Sequence, residues 1–215
     1  HTKICGLSTV EGVEAAARFG AQYLGFVLYP PSPRHVDVGA LAPLLRAVPP
    51  QLISVAVVVD ADDAQIDAIV TTGVKALQLH GDESPERVCM IKEQTGLFII
   101  KAISVRTRED VLTQKDAFPC ADMLLFDAKP PKSGASLPGG NGLSFDWRIL
   151  DDVHIDKPWI LSGGLHKDNI AEALTRTGAS SVDVSSGVEG APGIKDVTKI
   201  AAFLKAIQEA EDKSE

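Results

Sequence analysis

Cysteine is scarce in this chain and does not group. Cys5, Cys89 and Cys120 form no CxxC pair and no Cys/His cluster. That spacing argues against a disulfide framework and a zinc site, and it sets the expectation of a reducing, cytoplasmic setting. Apolar stretches of about 18 residues, the length a membrane helix requires, are missing as well. Basic runs never exceed two residues and the formal charge is −8. Neither a nucleic-acid footprint nor a polybasic membrane patch is therefore legible. No linker or internal repeat divides the 215 residues. They suit one domain over 1–215, with the acidic tail 209–215 expected to fray. The chain opens at His1 already inside a strand-like run, which points to native residues upstream.

Hydrophobic residues, at 45%, are enough for a sizeable core. They recur as short runs near 2–5, 22–28, 52–59, 75–79, 97–102, 122–126, 158–161 and 180–184. Several are nearly continuous, as in Ile53-Ser54-Val55-Ala56-Val57-Val58-Val59, which suits parallel strands covered on both faces. Helical spacing follows the runs: Val10, Val13, Ala17 and Gly20; Ile66, Ile69, Val70 and Gly73; Val197, Ile200, Ala201, Leu204 and Ile207. Ser8 or Thr9, and Ser84 before Pro85, read as N-caps. Gly20, Gly73, Gly96 and Gly178 close helices before new strands. Eight such units predict an α/β fold, a single-domain (β/α)8 TIM barrel, with an open doubly wound sheet as the rival. The sixth unit is the weakest, a short helix around 146–151 after the Pro- and Gly-rich stretch Lys129–Leu143, which reads as a lid.

In a barrel the chemistry sits where strands end. Those ends carry Cys5, Arg34, Asp60, His80, Lys101, Asp127, Gly163-Gly164 and Asp183, with no metal cage among them. Cys5 alone reads more readily as an inert buried thiol; a functional role needs a lowered pKa and some exposure. Asp127 is a loop-capping carboxylate, a salt-bridge partner of Lys101 or Lys129, or a desolvated acid beside the lid. Two glycine-rich segments, Leu161-Ser162-Gly163-Gly164-Leu165 and Asp183-Val184-Ser185-Ser186-Gly187-Val188-Glu189, follow strands seven and eight. Backbone N–H groups there, including those opening a short helix after strand eight, would attract phosphate. Arg34 follows three prolines that stiffen its loop, so its guanidinium suits a carboxylate, unless it is an ordinary solvated arginine. His80 belongs to the site wall or is a satisfied structural histidine. Cys89, Cys120, His154 and His166 look structural or superficial, and Trp147 and Trp159 look like packing anchors.

Taken together, Lys3-Ile4-Cys5-Gly6, Gly25-Phe26-Val27 with Ser32-Pro33-Arg34, Gln78-Leu79-His80-Gly81, Phe126-Asp127 and the two glycine-rich segments resemble the phosphoribosylanthranilate isomerase family along nearly the whole chain. The resemblance implies a phosphate-binding barrel that performs an Amadori rearrangement without cofactor or metal. Its substrate would be N-(5-phosphoribosyl)anthranilate and its product 1-(2-carboxyphenylamino)-1-deoxyribulose 5-phosphate, in tryptophan biosynthesis. It implies Asp127 as general acid, Cys5 as general base, Arg34 as carboxylate ligand, and Gly163, Gly164, Asp183, Ser185, Ser186 and Gly187 as the phosphate site. Leu28, His35, Asn141 and Leu143 depart from the commoner family pattern. The expected partner is a small phosphorylated substrate, with no nucleic acid or membrane, and the expected state is a monomer or homodimer. Two rivals remain: the related phosphosugar isomerase of histidine biosynthesis, disfavoured because strand one ends in Cys5 rather than Asp, and a non-catalytic barrel that binds a phosphometabolite.

Overall fold

The computed structural model describes residues 1–129, 139, 142 and 144–212. The expectations placed on Asn141 and Leu143, most of the lid segment, and residues 213–215 lie outside them. Eight parallel strands run β1 Thr2–Cys5, β2 Tyr23–Val27, β3 Ile53–Val58, β4 Ala76–Leu79, β5 Phe98–Val105, β6 Met123–Ala128, β7 Trp159–Leu161 and β8 Val182–Val184, and they close into a barrel in sequential order. Closure pairs the first strand with the last, Lys3 opposite Asp183. This selects the barrel over the open sheet.

Alternation along each strand sorts residues into two cores. Outward positions such as Ile4, Leu24, Phe26, Leu77 and Phe126 pack under the helices. Inward positions such as Tyr23, Val55, Val57, Ile100, Met123, Leu125 and Ile160 fill the barrel. The inward row of β1 carries Lys3 and Cys5, that of β6 ends at Asp127, and that of β8 holds Asp183. Polar chemistry thus sits on top of an apolar plug.

The helices are α1 Val10–Arg18, α2 Leu41–Arg46, α3 Asp63–Val70, α4 Pro85–Thr95, α5 Arg108–Gln114, α6 Ile170–Thr177 and α7 Val197–Glu211. Thr9 caps α1 by accepting from the Gly12 N–H, Ser84 caps α4 ahead of Pro85, and Thr107 with Asp110 forms a capping box on α5. Gly96 and Gly178 end their helices in the left-handed conformation. Among the described residues no helix is long and apolar enough to cross a membrane. Trp159 meets Phe126 edge to face at 5.8 Å, and Trp147 packs half-buried against the outer core.

Several local features add to or differ from the sequence expectation. The buried face of α1 is Gly12, Val13, Ala15 and Ala16, with Val10 39% exposed, so the face that packs is not the Val10–Ala17 stripe. The sixth unit has a 3-10 turn, Trp147–Leu150, and the segment after β8 is a single 3-10 turn, Ser186–Val188. A small hairpin follows it, β9 Glu189–Ala191 and β10 Ile194–Lys195. Helix α7 runs to Glu211, carried by the buried stripe Ile200, Phe203, Leu204 and Ile207. Finally, Cys89 and Cys120 are joined in a disulfide with Cα atoms 5.0 Å apart. Helix α4 packs over β5, which brings Cys89 beside the turn before β6, and linear spacing carried no sign of it. Cysteine count is therefore no guide to compartment here.

Candidate active site

The carboxyl ends of the strands enclose one cavity lined by Cys5, Arg34, His80, Asp127, Ser162, Gly163, Gly164, Asp183, Ser185 and Ser186, together with apolar Val27, Val57 and Leu165. Of the strand-end and phosphate-site residues named from the sequence, all but Asp60, Lys101 and Gly187 line it. Lys101 faces outward, where its ammonium meets the Glu83 carboxylate at 2.8 Å and the Gly81 carbonyl at 2.7 Å. It therefore shapes the loop after β4 and makes no pair with Asp127.

Asp127 is buried because β6 extends through it, and its Oδ1 accepts from the following Ala128 N–H at 2.9 Å. Its other oxygen lies 3.3 Å from His80 Nε2, close but without hydrogen-bond alignment. On the far side of the ring, Nδ1 is 2.8 Å from Gln78 Nε2. If that nitrogen accepts from the Gln78 amide, the ring proton resides on Nε2 and faces Asp127.

Cys5 is the free thiol among the described residues and is 7% exposed. Burial pushes its pKa up; Lys3 pulls it down, Asp183 pushes it further up, and Lys195 pulls it down, with a net rise. The lowered value that a functional cysteine was expected to have is not what the site provides, because desolvation outweighs both lysines. Lys3 is itself fully buried, and its ammonium meets Asp183 Oδ1 at 2.9 Å. Burial works against its charge, yet Asp183 and then Cys5 raise its pKa overall.

Arg34 is neither solvated nor loosely held. Its Nε and Nη2 donate to the two oxygens of Glu189 at 2.7 and 2.9 Å, a bidentate pair buried beside the cavity. Lys195 Nζ donates to the same Glu189 at 2.7 Å and to the Ser185 carbonyl at 2.9 Å. Burial pushes the Glu189 carboxyl up, but the Arg34 hydrogen bond and the Lys195 charge overcome this and leave it low. Lys195 moves down, because burial outweighs its attraction to Glu189. Glu189 and Lys195 come from the unforeseen hairpin.

The two glycine-rich segments meet. A Cβ on Gly187 would collide with the Leu165 carbonyl oxygen. Gly163, at φ +89°, brings its backbone so near β6 that a Cβ would lie 2.9 Å from the Ala128 nitrogen. With only a 3-10 turn after β8, any attraction for an anion rests on individual N–H groups rather than on a helix dipole. The Asp183 side chain is engaged elsewhere, which leaves only its backbone to face a phosphate. Its carboxylate can only accept, it is occupied by Lys3 and by the Ser162 hydroxyl at 3.1 Å, and its charge repels an anion.

Sequence reasoning overlooked Lys3, Gln78, Ser162, Glu189 and Lys195 as working parts. Lys3 was detectable, since it shares a strand face with Cys5 two residues on. Pro192-Gly193 also signals a turn between the hairpin strands. Lys195 carried no signal of its own.

Comparison with known proteins agrees with this arrangement. The family model described as N-(5'phosphoribosyl)anthranilate (PRA) isomerase matches residues 2–206. An N-(5'-phosphoribosyl)anthranilate isomerase of Cereibacter sphaeroides is 53% identical over 207 residues, covering 96% of this chain and 97% of its own. The crystal structure of phosphoribosyl anthranilate isomerase from Thermotoga maritima superposes with a TM-score of 0.84 at 33% identity, covering 97% of this chain and 98% of its own. Another phosphoribosyl anthranilate isomerase structure, in complex with reduced 1-(o-carboxyphenylamino)-1-deoxyribulose 5-phosphate, superposes at 0.81 with 29% identity over 97% and 98% of the two chains. With the barrel closed, Cys5 and Asp127 on one cavity, and a match running over nearly the whole length, the chain belongs to the N-(5'-phosphoribosyl)anthranilate isomerase family.

Proposed function

We propose that this protein converts N-(5-phosphoribosyl)anthranilate to 1-(2-carboxyphenylamino)-1-deoxyribulose 5-phosphate, an aldose–ketose rearrangement of tryptophan biosynthesis. The observation that carries the reading is the placement of a carboxyl group and a thiol, from β6 and β1, on the inner wall of one cavity beside two touching glycine loops. Asp127 donates a proton to the furanose ring oxygen. The C1–O bond breaks as the anthranilate nitrogen lone pair forms C1=N, giving a protonated Schiff base. Cys5, as thiolate, takes the proton from C2, and the C2–H electrons move to the nitrogen through C1. The enolamine then becomes the ketone as C1 is protonated and the C2 hydroxyl loses its proton. An acid and a base on either side of a held substrate are what two proton transfers between adjacent carbons require.

Gly163, Gly164, Ser185, Ser186 and Gly187 hold the phosphate in this reading, and Arg34 faces the anthranilate carboxylate while anchored by Glu189. His80, directed by Gln78, lies beside the Asp127 carboxyl group as part of the site wall. The enzyme works in the cytoplasm as a monomer or homodimer, on a small phosphorylated metabolite.

The test follows anthranilate fluorescence. Substrate is generated in place and its decay measured with this protein, with the next enzyme, indole-glycerol-phosphate synthase, present to relieve product inhibition. Saturable loss of signal is expected. Cys5→Ser and Asp127→Asn are each expected to lower kcat by roughly 10²–10⁴-fold, while affinity for the reduced product analogue persists. Full turnover in either variant removes that residue from its role, and no turnover by the folded parent removes the reaction.

A further inference from the structure

Directly beneath Cys5 lies a buried charge that the reaction, as written above, does not use. Lys3 and Cys5 are two residues apart on β1, so both point into the barrel. Cys5 is paired in register with Gly25 of β2. A Cβ on Gly25 would lie 3.1 Å from Lys3 Nζ and 3.2 Å from Cys5 Sγ, so the ammonium and the sulfur crowd the same spot, and glycine leaves it open. Lys3 is 1% exposed, and its ammonium is fixed by Asp183 at 2.9 Å. Asp183 is in turn fixed by the Ser162 hydroxyl. A buried ion pair in a barrel interior is commonly matched in stability by apolar residues of like volume. Stability alone therefore gives little reason for a lysine here.

Resting on the assignment of Cys5 as base, we propose that Lys3 is its positioning residue: the buried ammonium favours the thiolate form of the sulfur against the cost of burial, and Asp183 with Ser162 sets how much of that charge the sulfur receives. Other charged groups near the thiol are already engaged. Lys195 shares Glu189 with Arg34, and His80 and Asp127 adjoin each other across the cavity. Of the groups that act on the sulfur, Lys3 opposes the effect of burial most strongly. When the thiol ionises, Lys3 passes from one anionic neighbour to two. When Cys5 takes the C2 proton, the Lys3–Asp183 pair is left intact for the next cycle.

The experiment is the pH dependence of Cys5 alkylation by iodoacetamide in the full chain without reductant, where Cys89 and Cys120 remain joined and one thiol reports. Lys3→Met is expected to move the alkylation midpoint up by about one pH unit, about tenfold slower labelling at neutral pH. Asp183→Asn is expected to move it down, because the lysine charge then falls on the sulfur alone. The basic limb of kcat/KM should shift in step, with kcat falling in Lys3→Met and KM little changed. Unmoved midpoints, or midpoints that move the same way in both variants, overturn the proposal. If Lys3→Met does not fold, Asp183→Asn decides alone: a lowered midpoint supports the proposal and an unchanged or raised one refutes it. Opposite shifts together with full turnover by Cys5→Ser would instead remove Cys5 as the base, leaving the hold of Lys3 on the sulfur standing.

Discussion

Glu189 holds two cations, and neutralising it is the sharpest perturbation this structure offers. In Glu189→Gln the side chain keeps its shape but loses its charge. Arg34 and Lys195, both buried against it, then face each other without a counter-charge. Removing one partner of a buried pair costs about 3–5 kcal/mol, a large part of the roughly 5–15 kcal/mol that stabilises a domain. For a chain of this length, that loss lowers Tm by on the order of 10 °C. The pH dependence follows from the low Glu189 carboxyl. A folded-state value below the unfolded one, about 4.3, gives stabilisation that is complete above the unfolded value. It is lost as pH falls through the folded value. Urea melts of parent and variant should therefore differ by several kcal/mol at pH 7 and converge as the pH falls below about 4. Equal melts at pH 7 would refute the reasoning. So would a gap that stays constant through acid, since that would mark lost packing rather than lost charge. Substrate KM should also rise, because Arg34 loses its anchor.

Other outcomes can be checked alongside. Because burial keeps the Cys5 thiol high, kcat/KM should still be climbing above pH 8 in a stopped-flow fluorescence profile; a plateau reached by neutral pH would contradict this. Cys89→Ser opens a loop of 31 residues and should lower stability by roughly 3–4 kcal/mol in denaturant melts while leaving kcat intact. Gly187→Ala pushes its methyl into the Leu165 carbonyl and should weaken inorganic phosphate inhibition several-fold while sparing the labelling rate of Cys5. Unchanged inhibition would place the phosphate elsewhere.

The strands were legible because each is a short apolar run with polar residues at one end, and Asp127 and Cys5 stood out for the same reason. Strand-end position also located His80 and Arg34. What escaped were interactions between distant segments: the outward turn of Lys101 toward Glu83, the Arg34–Glu189–Lys195 cluster, and the Cys89–Cys120 link. No local pattern announces which partner a buried charge will meet. The direction of the Cys5 shift escaped for a related reason, since a barrel mouth brings both cations and desolvation, and only three-dimensional packing decides between them. The pairing of Asp183 with Lys3 across the closing seam could be read only once β1 and β8 were adjacent.

That seam bears on how the chain is made. Lys3 and Asp183 are 180 residues apart, and ribosomes add about 5–20 residues per second. For about ten to forty seconds of synthesis, the first strand has emerged while its closing partner does not yet exist. During that interval β1 has an open edge, and the lysine on it is a charge of the kind that discourages nascent strands from pairing with one another. Barrel closure, and with it the burial of the charge beneath the thiol, therefore waits until β8 has been made.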